Sequence, residues 1–333
     1  MFKNVMVYRI GEGWNPSLAE VEAALQTARF AECGASQDKS VGWIEPRGEA
    51  HGPLVESVGG QWMVKLMIES KAVPGHVVRR HLDERIAAIE ETTGRKPGKK
   101  EKRDLQDDIL QSLLPQAFPR QATVLVWIDL ATRRLVLDSG SQGKADEAIS
   151  ALMKAFTGLS VALIQTAVTP QAAMTEWLLA PAPEDWPADL SVERECVLKA
   201  TGEDAASIRF TRHHLANDDV RKHVLEGKLP TQLAVSWDGR VSFVLTETLQ
   251  LKKVQFLDGV MDEVGTDKQE DRFDADVVLA TGLLGPLLDT LIDALGGELE
   301  WGAEPAEPAK PAEPLPAATA SASATMDEGD PPF

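Results

Sequence analysis

The sequence predicts an α+β protein with mixed or antiparallel sheets, flanking helices and a projecting helical hairpin. Strand-like and helix-like segments alternate without the regular βαβ order of a parallel sheet. Asp238-Gly239 lies between two alternating apolar segments and supplies the positive φ angles of a tight hairpin turn. A Gly/Pro break at 94–98 separates two charged helical stretches. The 333 residues are enough for about two or three subdomains.

The first half of the chain predicts six strands and four helices. Ser17, followed three residues later by Glu20, is typical of a helix start. Trp62, Val64 and Leu66 alternate with polar residues, as expected of a half-buried strand. The predicted strands are 4–9, 41–45, 61–69, 122–129, 134–138 and 161–165. The predicted helices are 17–30, 74–91, 99–114 and 145–156.

The pattern restarts after Trp186. The expected strands are 196–200, 208–211, 232–237, 241–246 and 253–257. The expected helices are a short one at 218–225 and a long one at 273–295. We expect an interruption of the long helix at Gly285-Pro286, because proline cannot donate to the helical hydrogen-bond ladder.

The domain boundaries follow changes in composition. Residues 1–73 and 120–185 form a first α+β region, 74–119 the basic hairpin, and 186–301 a second α+β region. Residues 302–333 are rich in Pro, Ala and Glu and carry six acids against one lysine. A segment with so little to bury is predicted to be a disordered tail.

Composition limits the classes of function. No signal-peptide pattern opens the chain and no stretch of about 20 apolar residues is evident, so a cytoplasmic protein is expected. Two cysteines, Cys33 and Cys196, are too few for a disulfide framework. The formal net charge of −18 argues, taken alone, against a polyanionic partner.

The hairpin nevertheless concentrates positive charge. Residues 76–103 contain nine Lys/Arg against five Asp/Glu, and six of the nine lie in RKPGKKEKR at 95–103. Like charges at this density repel each other, and folding does not require them. They indicate a polyanionic partner or a solvated tip. The candidate phosphate-binding residues here are Arg79, Arg80, Arg95, Lys96, Lys99, Lys100, Lys102 and Arg103.

A second basic cluster follows about 110 residues later. Its cations lie at the end of a predicted strand and on the short helix after it, where side chains can reach a phosphate. An ordinary surface is the competing interpretation, and a metal site lacks a Cys partner at ligand spacing. The candidates are Arg209, Arg212, His213, Arg221 and Lys222.

No catalytic, cofactor or metal site is predicted. Residues 138–145 lack a glycine and a Ser/Thr at the positions that a phosphate-binding loop requires. No base-reading motif appears and no aromatic interleaves with the lysines, so a groove for the duplex backbone is favoured over base readout or single-strand stacking. Two alternatives stay open: a scaffold whose hairpin docks an acidic protein, and a nuclease that uses a divalent ion.

Ordered motifs over residues 2–298 resemble the bacterial recombination-associated RdgC family. The motifs are FKNVMVYR (2–9), CG (33–34), SQ (36–37), GW (42–43), LLPQAF (113–118), WID (127–129), TEW (175–177), RFDAD (272–276) and the segment 291–298. The resemblance implies a non-enzymatic, largely sequence-independent DNA-binding protein without cofactors. It implies a ring-shaped homodimer that encircles double-stranded DNA, binds single strands more weakly and restrains RecA-promoted recombination in the nucleoid.

Two further expectations concern contacts. Leu113, Leu114 and Phe118 follow the basic hairpin and either form a subunit contact or pack under their own hairpin. The terminal segment MDEGDPPF (326–333) resembles the acidic, Pro-Phe-terminated tip of bacterial single-stranded-DNA-binding protein. That resemblance implies contact with pockets made for that tip, or competition with DNA for the basic groove; a solubilising tail is the alternative.

Overall fold

Two antiparallel sheets form the body of the molecule. The computed structural model describes residues 2–201, 206–257 and 269–301. The first sheet consists of β1 (Met6–Ile10), β2 (Lys39–Ile44), β3 (Val55–Val58), β4 (Gln61–Lys71), β5 (Pro119–Asp129), β6 (Arg134–Leu137) and β7 (Val161–Leu163). The second consists of β8 (Leu190–Ala200), β9 (Ser207–Thr211), β10 (Lys228–Trp237), β11 (Val241–Thr246) and β12 (Leu251–Phe256). The helices are α1 (Leu18–Thr27), α2 (Gly75–Thr93), α3 (Lys99–Leu113), α4 (Gln142–Ala155), α5 (Pro170–Leu179), α6 (Asp218–Leu225) and α7 (Gln269–Ala294). The predicted α+β class is confirmed; the predicted tail, 302–333, lies outside the described residues.

The first sheet has the strand order β2-β4-β5-β6-β1-β7, with β3 paired to β4. The strand β3 was not among the predicted elements. Its turn into β4 is Gly59-Gly60, and both residues have positive φ, 59° and 84°. This is a turn that glycine makes without steric cost.

One face of the first sheet is covered by α1 and α4. Ser17 and Glu20 form the predicted capping box at the start of α1. Val21 and Leu25 of α1 and Leu152 of α4 are fully buried in the apolar cluster on this side. The helices α1 and α4 therefore pack on this face of the first sheet.

The other face of the first sheet shares a core with the second sheet. Val7 and Trp127 of the first sheet belong to the same buried cluster as Leu233 of the second. Both α5 and α7 contribute to this cluster. The guanidinium of Arg134 in β6 binds Asp289 in α7 at 2.6 Å. The two α+β regions are thus joined through common apolar packing.

Two helices differ from the sequence prediction. Helix α5 was not predicted, although Thr169 caps it by accepting from the N–H of Ala172 and Pro170 occupies its first turn. Helix α7 was expected to break at Pro286 but is continuous. Leu284, Leu287 and Leu288 are buried around the proline, and this packing stabilises the helix across the missing hydrogen bond.

Helix α7 has the length and the composition of a membrane-spanning helix. The segment Arg272–Ala294 is apolar enough to cross a bilayer, although the sequence patterning did not indicate it. Its buried face lies in the shared core, and Arg47 ties its start to the first sheet. The Arg47 guanidinium lies 4.7 Å from the centre of the Phe273 ring and 2.6 Å from Asp274. These contacts are those of a core helix.

The second sheet has the order β12-β11-β10-β8-β9. The Asp238-Gly239 turn joins β10 and β11 as predicted, with φ of 49° and 63°. Strand β8 begins at Leu190, six residues earlier than predicted, because it pairs with β10 as far as Trp237. Strand β9 is the outer strand on the side away from β12.

Candidate nucleic-acid interface

The basic hairpin is an arm inserted between two neighbouring strands. Strands β4 and β5 pair along their lengths, from Trp62↔Ile128 to Lys71↔Pro119. The chain between them, 72–118, forms α2 and α3, which pack against each other. With 19 and 15 residues, these helices are roughly 28 and 22 Å long at 1.5 Å per residue.

The turn at the tip of the arm places its cations in solvent. Gly94 ends α2 in the left-handed conformation, with φ 69°, and its N–H donates to the carbonyl of Glu90 at 2.9 Å. Pro97 is buried in the turn and Gly98 caps α3. Lys99 and Lys100 therefore begin a helix at the far end of the arm, and both are exposed.

Three of the arm's cations have carboxylate partners. Arg95 lies 2.9 Å from Glu101, Lys96 lies 3.7 Å from Glu90, and Arg80 lies 4.0 Å from Glu84. In the described ranges the remaining cations of the arm have no ion pair. They are Arg79, Arg85, Lys99, Lys100, Lys102 and Arg103. These cations are therefore available to bind a partner that carries repeated negative charge.

The second basic cluster lies on the outer edge of the second sheet. Arg209 points to solvent from β9, while its neighbour Phe210 packs partly against the shared core. Arg212 follows β9 in the left-handed conformation, with φ 55°. The His213 ring lies 5.4 Å from the Phe210 ring, and His213 Nδ1 is 2.9 Å from the carbonyl oxygen of His214. Arg209, Arg212 and His213 are exposed.

Two cations on α6 have different environments. Arg221 is half-buried, and its Nη2 donates to the carbonyls of Ala180 and Pro181, the latter at 2.9 Å. This guanidinium stabilises the end of α5. Lys222 is exposed, and its ammonium has no ion pair in the part of the chain that the structure describes.

The two clusters belong to different sheets. The arm extends from β4 and β5 of the first sheet, whereas Arg209 and Arg212 lie at the edge of the second. Between residues of the described ranges, no hydrogen bond or ion pair joins one cluster to the other.

The predicted subunit-contact residues separate into two environments. Leu114 is 3% exposed and packs within its own chain, and Leu113 is half-buried. Phe118, which immediately precedes β5 at the base of the arm, is 87% exposed. It is the apolar side chain of this group that a second copy could cover.

Sequence reasoning missed two cations near Arg212. Arg194 of β8 and Lys253 of β12 line the same cavity on the second sheet as Arg212. Arg194 lay before the predicted start of its strand. Lys253 has a positive φ of 54°, which the sequence pattern of a strand does not indicate.

The described residues contain no cluster of three or more His, Cys, Asp or Glu with metal-site geometry. Cys196 is buried, and burial raises the pKa of its thiol to about 12. Cys33 is half-buried, and its pKa is raised mainly by desolvation and by the neighbouring Glu69. Neither environment favours the thiolate that a nucleophile needs.

The fold and the arm define an α+β protein with two antiparallel sheets and a cation-tipped helical arm. Its residues 1–298 match the family model described as "Putative exonuclease, RdgC". Curated relatives named "Recombination-associated protein RdgC" include one from Dechloromonas aromatica, 38% identical over 90% of this chain and 98% of the relative. Others are from a Janthinobacterium species, 39% identical over 90% and 99%, and from Cupriavidus pinatubonensis, 40% identical over 89% and 98%. The chain belongs to the RdgC family of recombination-associated proteins.

Proposed function

We propose that this protein binds double-stranded DNA through its backbone phosphates, without base readout and without chemistry on the DNA. The observation that carries the proposal is the exposed, unpaired positive charge of Lys99, Lys100, Lys102 and Arg103 on an arm of an otherwise acidic molecule. Phosphate contacts of this kind give affinity but carry no sequence information.

The proposed assembly is a homodimer that encircles the duplex. Phe118, exposed at the base of each arm, provides one isologous contact, in which the same patch meets itself across a two-fold axis. A closed ring needs a second contact elsewhere. Single-stranded DNA binds more weakly, because the aromatic rings near the cations are few and Phe210 is packed on the core.

The biological consequence is restraint of RecA-promoted strand exchange. A protein that occupies duplex DNA without sequence preference removes it from the pool available for pairing. It acts in the cytoplasm, on the nucleoid. The acidic terminal segment makes transient contacts with pockets for the single-stranded-DNA-binding protein tip, or competes with DNA for the cations.

Fluorescence anisotropy tests the binding proposal. Two labelled duplexes of unrelated sequence are titrated with the full chain at about 50 and about 200 mM salt. We expect equal affinities for both duplexes and a steep loss of affinity at the higher salt. Absence of binding at the lower salt, together with capture of an acidic protein, would support the scaffold function instead.

The proposed ring is tested by comparing its retention on circular and on linear DNA. Protein bound to a nicked circular plasmid is crosslinked between subunits and washed at high salt. A closed ring stays on the circle and is released when the plasmid is linearised. Release from both forms alike would contradict encirclement.

A second candidate, an exonuclease, is favoured by the description of the matching family model. A labelled linear duplex incubated with Mg²⁺ or Mn²⁺, with and without chelator, decides between the two. Our proposal predicts that the duplex stays intact under every one of these conditions. Chelator-sensitive shortening from the ends would establish the nuclease.

A further inference from the structure

The outward face of the second sheet contains an open cavity. Leu233 and Val235 of β10 point into the shared core, so Ala234 between them faces the other side. Ala234 pairs with Val244 across the strands, and these two side chains lie on the floor of a cavity of about 510 Å³. This face of the sheet is not packed against the shared core.

Cations from three parts of the sheet line this cavity. They are Arg194 in β8, Arg212 after β9 and Lys253 in β12. Arg212 and Lys253 both have positive φ, 55° and 54°, a conformation that is uncommon for residues other than glycine and clusters at functional sites. The N–H of His213 donates to the carbonyl of Arg194 at 3.1 Å, which fixes the turn that carries Arg212.

Two carboxylates line the cavity, and one of them is paired with a cation. Lys253 Nζ donates to both oxygens of Glu195, at 2.9 and 3.0 Å. Glu193 accepts from the hydroxyl of Ser236 at 2.8 Å. In contrast, the guanidinium groups of Arg194 and Arg212 have no ion pair within the described ranges. Among the described residues the cavity thus has three cations against two carboxylates, and of the three cations only Lys253 is in an ion pair.

The Glu195–Lys253 pair crosses the face of the sheet. Strands β8 and β12 are separated by β10 and β11, a span of roughly 14 Å at about 4.8 Å per strand. The two side chains therefore extend toward each other above the small floor residues. A ligand that lies across the floor must share Lys253 with Glu195.

We propose that this face is a second binding surface for the DNA backbone, at which Arg194, Arg212 and Lys253 contact successive phosphodiester groups. The inference rests on the proposed function and adds Arg194 and Lys253 to it. From β9 to β12 the sheet is roughly 19 Å wide, which corresponds to about six nucleotide steps at 3.4 Å of axis each. An open surface of this width suits a chain of phosphates better than a single phosphoryl group.

The arrangement makes Glu195 an internal competitor of DNA. Each binding event exchanges the Glu195 carboxylate on Lys253 for a phosphate. Removing the negative charge at residue 195 should therefore strengthen DNA binding. Loss of a merely structural ion pair would not have this effect.

The test compares three variants of the full chain by anisotropy with a labelled duplex over a salt series. Glu195→Gln should tighten binding several-fold, and Arg194→Ala should weaken it and reduce the salt slope by about 0.9, the value for one phosphate. The matched control is Glu147→Gln, which removes another surface lysine–carboxylate pair, that with Lys39 near the first sheet. This control should bind as the parent does.

Outcomes separate this inference from the function it rests on. Unchanged affinity in both Glu195→Gln and Arg194→Ala, with Lys99→Glu/Lys100→Glu still weakening binding, overturns the second surface and leaves the proposed function standing. Because Arg194 has no ion pair to lose, its variant tests the surface even if Glu195→Gln unfolds. Displacement of the duplex by a deoxynucleoside monophosphate at matched ionic strength identifies a single-phosphate site and overturns the proposal. If the parent chain binds no DNA, both the second surface and the proposed function are contradicted.

Discussion

Arg95 and Glu101 close the tip of the arm on itself. Nη1 of Arg95 donates to Oε2 of Glu101 at 2.9 Å, and Nη2 donates to Oε1 at 3.3 Å. This two-point contact holds the pKa of Glu101 below its usual range. Arg95 is therefore engaged within the protein, whereas Lys99 and Lys100 in the next turn are not.

Neutralising Glu101 should increase DNA binding. Glu101→Gln removes an acid from the tip and frees the Arg95 guanidinium for a phosphate. We expect tighter binding and a salt slope steeper by about 0.9, as for one added phosphate contact. Anisotropy over a salt series measures both; a looser complex would indicate that the pair is needed to shape the turn.

Replacing the exposed aromatic at the base of the arm should dissociate the dimer that we propose. Phe118→Ser is expected to give monomers by light scattering that keep the circular-dichroism spectrum of the folded chain, since 87% of Phe118 is exposed in the single chain. Leu225→Ser, at an equally apolar position that is 76% exposed on α6, is the matched control and should stay dimeric. Dimers of Phe118→Ser would place the contact elsewhere.

The neighbouring Leu114 should behave differently. It is buried within its own chain, so Leu114→Ala should destabilise the fold by about 2–5 kcal/mol. Urea unfolding measures this loss. A stability equal to that of the parent would contradict the packing of Leu114 under its own arm.

Glu69 predicts a pH dependence of stability. It accepts from Nε2 of Gln121 and from the N–H of Cys33, each at 2.7 Å, and these bonds lower its pKa. Because the pKa is lower in the folded state, the ionised Glu69 stabilises the fold at pH values above the unfolded pKa of about 4.3. This stabilisation is lost as the pH falls through the pKa of the folded state. Urea unfolding should therefore show Glu69→Gln less stable than the parent at neutral pH, with the difference shrinking below about pH 4. A pH-independent difference would contradict this role.

The two cysteines should differ in reactivity. Cys196 is fully buried with its pKa raised to about 12, so it should resist alkylation until the chain unfolds. Cys33 is half-buried and should react slowly, faster at alkaline pH because its pKa is also raised. Mass spectrometry after iodoacetamide treatment distinguishes the sites, and labelling of Cys196 in the native protein would contradict the packing of β8.

Local signals predicted much of the fold. The Gly/Pro break located the arm within a few residues, and Asp238-Gly239 located the β10–β11 turn. Signals of the same kind were present for two elements that were not predicted. Gly59-Gly60 marks the turn from β3, and Thr169-Pro170 marks the start of α5.

The remaining features depend on contacts distant in sequence. Pro286 lies in a continuous helix because buried leucines around it pack in a core that both sheets build. The cavity of Arg194, Arg212 and Lys253 exists only when β8, β9 and β12 are brought into one sheet by β10 and β11. The sequence predicts Arg221 as a phosphate ligand from its charge and does not indicate that its guanidinium donates to carbonyls at the end of α5.

The salt dependence of duplex binding by Lys99→Glu/Lys100→Glu tests the role of the arm most directly. The matched control is Lys144→Glu/Lys154→Glu, which reverses two exposed charges on α4. We expect the arm variant to lose affinity on every duplex sequence and to reduce the salt slope by about 1.8, the value for two phosphates, while the control binds nearly as the parent does. Equal affinities and equal slopes for the two variants would show that the arm does not bind DNA.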